Sequence, residues 1–145
     1  MDYKKNIGLV SINPPLQLTF GADRQTSRNQ LSFDATKNFG RNDNEDSYPD
    51  VAGNWLRLSF TDNKLEEIEL LRGVIFIDNI EIKTGNPLDK TIKSLKDKGF
   101  SFKKGFYSYT DFENLVDIGD SEANGGDENE VKWFYTSTNF DHLID

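Results

Sequence analysis

The chain reads as an α+β fold, a mostly antiparallel sheet with one or two short helices packed on it. Three observations predict this. Large and polar side chains alternate on both sides of a two-residue turn at Asp62-Asn63, the pattern of a β-hairpin. Residues 86–99 carry the marks of one short amphipathic helix. Eleven Phe, five Tyr and two Trp in 145 residues supply a core of large contact area despite a hydrophobic content of only 35%. A chain of this length fits one domain spanning residues 1–145.

Taken in order, residues 7–12 are apolar but interrupted by Gly8 and Ser11 and halted by Pro14-Pro15. That run is too short and broken for a signal-peptide core, and no later run approaches a membrane span, so a cytoplasmic location is expected. Residues 16–20, Leu-Gln-Leu-Thr-Phe, form a strand candidate, and residues 23–31 a possible short helix. Residues 41–53 hold Asp43, Glu45, Asp46, Pro49, Asp50 and Gly53 with almost no apolar content, which predicts a polar loop. Residues 55–60 and 64–71 make the hairpin strands. Glu66, Glu67 and Glu69 lend the second a helical look, but the turn before it and Arg72-Gly73 after it favour strand. Residues 74–82 are rich in β-branched side chains and predict a third strand.

The helix at 86–99 follows from Asn86 as its cap, Pro87 at the first helical position and Asp89 beside the positive helix end. Leu88, Ile92 and Leu95 make one apolar stripe, lysines take the other faces, and Gly99 offers a left-handed stop. Residues 100–109 and 131–138 again look extended. Between them, residues 120–130, with Asn124-Gly125-Gly126 and several acids, predict a second polar loop.

Charge is distributed unevenly. From residue 105 to 145 the only Lys or Arg is Lys132, against ten acidic side chains, while the remainder is nearly balanced and the total is −8. Such a field repels nucleic acid and anionic membrane and attracts a cationic partner. The lysines of residues 83–104 do not reverse this, because four of them line the exposed sides of an amphipathic helix. No nucleic-acid or membrane partner is expected.

Catalytic and metal motifs are lacking in the sequence. There is no cysteine, and the single histidine, His142, stands beside Asp141 near the chain end without a nucleophile motif. An EF-hand loop begun at Asp117 fails, with Gly119 at the third position and Glu122 at the sixth. No enzyme activity, metal or cofactor is expected. What stands out instead is acids interleaved with aromatics. Phe106, Tyr107, Tyr109 and Phe112 precede the acidic stretch, and Trp133, Phe134, Tyr135 and Phe140 follow it. Aromatics anchor protein interfaces and charges steer approach.

The run WLRLSFTDNKLEEIELLRGVIFIDNIEI, followed by NPLDKTIKSLKDKG, resembles the body of bacterial immunity proteins of polymorphic-toxin and contact-dependent growth inhibition systems. The similarity concerns a pattern of hairpin, strand and short capped helix over about half of the chain. It implies a cytoplasmic, non-enzymatic protein that neutralises one cognate toxin domain by binding it, often a nuclease with a basic cleft. Charge and aromatics then nominate Asp117, Asp120, Glu122, Asp127, Glu128 and Glu130 as partner-binding acids, with Tyr107 and Trp133 as anchors. The alternative expectation is a small ligand-binding or regulatory domain whose aromatics line a pocket for a sugar or similar polar molecule.

Overall fold

A computed structural model describes residues 9–12, 16–77, 79–120 and 129–141. Within them lie eleven strands and two helices arranged as two antiparallel sheets. The strands are β1 (Leu9–Ile12), β2 (Leu16–Thr19), β3 (Glu45–Val51), β4 (Asn54–Thr61), β5 (Lys64–Arg72), β6 (Val74–Ile77), β7 (Ile80–Lys83), β8 (Lys103–Lys104), β9 (Ser108–Asp111), β10 (Val116–Gly119) and β11 (Trp133–Ser137). Helix α1 spans Arg24–Gln30 and α2 spans Leu88–Asp97. The small sheet has the order β2-β1-β6-β7, and the large one β3-β4-β5-β11-β10-β9-β8. The α+β, sheet-dominated class predicted above is the class observed.

The central hairpin forms as its residues dictate. Asp62 and Asn63 both adopt left-handed conformations (φ 52° and 64°), the geometry whose twist matches the flanking strands. On β4, Asn54, Leu56, Leu58 and Phe60 point inward while Trp55, Arg57 and Ser59 stay half-exposed. On β5 the alternation breaks at Glu66: Leu65 faces Phe60 and Glu67 faces Ser59, so one residue bulges out of register. The bulge lets Leu65 and Ile68, three apart, both reach the core. Inward side chains of both sheets join Leu88, Ile92 and Leu95 of α2 and Leu31 after α1 in one contiguous core.

The passage from the large sheet to the small one is a single residue. Gly73, at φ 118°, separates β5 from β6. Its backbone is clasped from both sides: the Thr84 hydroxyl accepts from its N–H at 3.0 Å, and the Thr84 N–H donates to its carbonyl at 3.0 Å. The buried Asn54 side chain accepts from the Val74 N–H at 2.7 Å. A Cβ at Gly73 would lie 2.0 Å from that Asn54 oxygen, so glycine is the residue this corner admits.

Several expectations need correction. Residues 74–82 are a hairpin, β6 and β7, rather than one strand. Residues 100–109 likewise fold back, placing β8 beside β9. The polar stretch 41–53, expected as a loop, contains β3 at the edge of the large sheet. Its acids can enter the fold because arginines, two of them from α1, neutralise them. Asp46, fully buried, receives Arg24 at 2.6 Å and Arg28 at 2.8 Å, both from α1. Glu45, also buried, receives Arg41 at 2.6 Å. Burial raises both carboxyl pKa values, but the arginine hydrogen bonds outweigh it and hold them below the usual carboxylate range.

Helix α2 ends as its sequence predicts. Gly99 is left-handed (φ 102°), Phe100 N–H returns to Leu95 carbonyl and Gly99 N–H to Lys96 carbonyl, a Schellman stop. Its start differs. Pro87 occupies the cap position, and the Asn86 side chain instead donates to Glu81. The first turn is capped from a distance: Asn129 accepts Leu88 N–H through its backbone carbonyl at 3.2 Å and Asp89 N–H through its side chain at 2.9 Å. No helix among the described residues is long and apolar enough to cross a membrane.

Candidate functional site

The outer face of the large sheet, turned away from the core, carries the polar half of every strand alternation. Cross-strand register places Ser47, Arg57, Glu69, Tyr135, Asp117, Thr110 and Lys103 in one row across all seven strands. In its middle this face is concave. Arg41, Arg57, Ser59, Glu67, Glu69, Leu71, Asp117, Trp133 and Tyr135 line a cleft of about 390 Å³, within the usual size of a binding cleft.

Gly119 makes room for one of the lining residues, Trp133. Trp133 pairs with Gly119 across β10 and β11, and a Cβ on that glycine would fall 2.1 Å from the indole. The ring therefore lies across the glycine backbone and offers its opposite side outward, as aromatics do over strand glycines. Tyr135, two residues on, stacks on Phe140 with centroids 5.7 Å apart and donates its hydroxyl to Glu67 at 2.6 Å. Burial and this bond to a carboxylate push the Tyr135 pKa up, so the group stays a neutral donor. Arg57 lies 3.5 Å from Glu69 and 4.0 Å from Glu45, and Arg41 lies 3.7 Å from Glu69. Glu45 and Glu69 thus engage the two arginines, while Glu67 and Asp117 also line the cleft.

At one end of this face is an aromatic corner. β10 ends at Gly119 between Ser108 of β9 and Trp133 of β11. The β8–β9 turn beside it projects Phe106 and Tyr107, 85% and 61% exposed, with ring centroids 6.3 Å apart. The end of β10 and the approach to β11 are tied here: Asp120 N–H donates to Tyr107 carbonyl at 2.9 Å, and Lys132 N–H to Gly119 carbonyl at 3.0 Å.

The nominated residues separate accordingly. Tyr107 is on the exposed turn and Trp133 forms the platform. Glu130 is partly exposed and paired with Lys132 at 3.1 Å. Asp117 and Asp120 are buried, which corrects their expected role as solvent-facing charges. The Thr110 hydroxyl donates to Asp117 at 2.7 Å, and Lys104 meets Asp120 at 2.7 Å. Strand pairing turned these two acids against neighbouring strands that the bare charge count ignores. Glu122, Asp127, Glu128 and His142 lie outside the described residues. Arg41, Arg57, Glu67 and Glu69 were not nominated. The alternation of Arg57 on β4 and of Glu67 and Glu69 on β5 is visible in the sequence, but only sheet order brings them, with Arg41 from before β3, to Trp133.

Among the described residues no group of three or more His, Cys, Asp or Glu is placed to hold a metal ion. Compared with family models, curated proteins and solved structures, the chain matches none.

Proposed function

We propose that this chain is a non-enzymatic immunity protein that acts in the cytoplasm by binding and neutralising one cationic toxin domain. The observation that carries this reading is the Phe106–Tyr107 pair. Two adjacent rings stand largely exposed at a turn among the described residues, and exposed aromatics of this kind serve as interface anchors. The acidic run from Asp120 to Glu130 begins at Asp120, whose N–H bonds the Tyr107 carbonyl, which supports a steering role for Glu122, Asp127, Glu128 and Glu130 near that anchor. Asp117 and Asp120 act inside the fold, holding the strands that present it.

The test is co-expression with the toxin domain encoded beside its gene, scored by growth and by association kinetics on the purified pair. Phe106→Ala with Tyr107→Ala is expected to weaken binding by about 30-fold, equivalent to about 2 kcal/mol. Folding stability should not change, since neither ring is buried. The association rate should fall steeply with added salt. A double variant that still protects cells and binds with unaltered affinity refutes the reading.

A further inference from the structure

We propose that the cleft on the outer face of the large sheet is a socket for a basic side chain, the guanidinium or ammonium group of a polypeptide partner. This deepens the immunity reading and rests on it for the partner's identity, though the socket itself can be tested without any toxin.

Three independent features lead to this occupant. The first is the platform. Trp133, laid over Gly119, exposes one ring face toward the cleft, and indole is the best aromatic acceptor for a cation. The second is the balance of charge. Arg41 and Arg57 are engaged by Glu45 and Glu69, and the cleft retains an excess of carboxylate. Glu67 has Tyr135 as its hydrogen-bond donor, and no Lys or Arg among the described residues lies within 4 Å of it. Its carboxylate, already aligned by the tyrosine hydroxyl, keeps lone pairs for an incoming N–H donor.

The third is placement. Trp133 stands across Gly119 from Ser108, the residue after the Phe106–Tyr107 pair. One partner surface can therefore pack on the exposed rings while a side chain beside it enters the cleft. An anionic ligand would meet the excess carboxylates. A neutral sugar would satisfy the platform but not the charge.

The experiment is a chemical-shift titration of the isotopically labelled full chain with N-acetyl-arginine amide, N-acetyl-glutamate amide and methyl glucoside. The arginine amide is expected to saturate, shifting the Trp133 indole and the amides of β10 and β11, and to be displaced by salt. Glu67→Gln keeps the tyrosine contact and is expected to weaken it about fivefold, as loss of about 1 kcal/mol gives. Trp133→Phe should retain part of the binding and Trp133→Ala should abolish it, each with an otherwise dispersed spectrum. Saturation by the glucoside or the glutamate amide in preference to the arginine amide overturns the proposal. So does Glu67→Gln binding with unchanged affinity. Neither outcome touches the Phe106–Tyr107 test, so failure of the socket and failure of the partner reading are told apart.

Discussion

Replacing Gly119 by alanine tests whether the Trp133 platform is built as described. The added methyl would sit 2.1 Å from the indole, where an ordinary contact begins at 3.4 Å, so ring or strand must move by more than 1 Å. If the ring stays and the strands spread, overpacking of this kind costs about 1–3 kcal/mol. If the ring swings away, one face of the indole, roughly 100 Å², returns to water, and at about 25 cal/mol per Å² that is about 2.5 kcal/mol. Both routes converge on about 2 kcal/mol, a fall in Tm of roughly 4–8 °C for a chain this size. Thermal melts read the stability. Trp133 emission, isolated by Trp55→Phe in both backgrounds, reads the ring and should shift to the red as it becomes more hydrated. A Gly119→Ala protein with unchanged emission and a Tm within about 1 °C of the parent refutes the stacked arrangement.

Three further predictions concern what holds this fold together. Asp46→Asn leaves Arg24 and Arg28 sharing an uncharged partner in a buried site, and should cost about 3 kcal/mol or more, measured by urea denaturation. The same group sets a pH dependence. Asp46 and Glu45 have folded pKa values below their unfolded ones, so the unfolded chain binds more protons as the solution is acidified. Their contribution is complete above about pH 5 and is lost as pH falls through the folded values. Urea midpoints should fall below pH 5, and less steeply in Asp46→Asn. A parent protein whose midpoint is flat from pH 6 to about pH 3 contradicts this. Gly73→Ala places a Cβ 2.8 Å from the Asn54 backbone at a φ of 118° and displaces the acceptor of Val74 N–H. Backbone strain and an unpaired, partly buried N–H together should cost about 3 kcal/mol, and a midpoint shift below a third of that argues against the corner geometry.

Local signals carried the elements that depend on neighbours in the chain. Asp62-Asn63 specifies its turn whatever surrounds it, and the stripe of Leu88, Ile92 and Leu95 with Gly99 behind it reads as a helix in isolation. Where the reading failed, the deciding partner was remote. Residues 45–51 are too acidic to look like a strand until Arg24 and Arg28, some twenty positions earlier, are seen to neutralise Asp46. Asn86 looked like the helix cap, yet Asn129 provides it from forty residues away. The hairpin break near Asn79 (φ 65°) lies within a run of β-branched residues that masks it.

The surface shows the same division. The amino-acid sequence determined by itself that the chain would be a sheet-rich α+β fold, rich in aromatics and acidic toward its end. It also drew attention to Tyr107 and Trp133 among its aromatics. Tertiary structure alone decided which charges meet water. Insertion of β11 between β5 and β10 set Glu67 and Glu69 beside Tyr135 and laid Trp133 over Gly119, while Asp117 and Asp120 were turned against Thr110 and Lys104. The physical reason is that a strand's period of two reveals two faces but not their neighbours, and a carboxylate's role depends on which donor the adjoining strand presents.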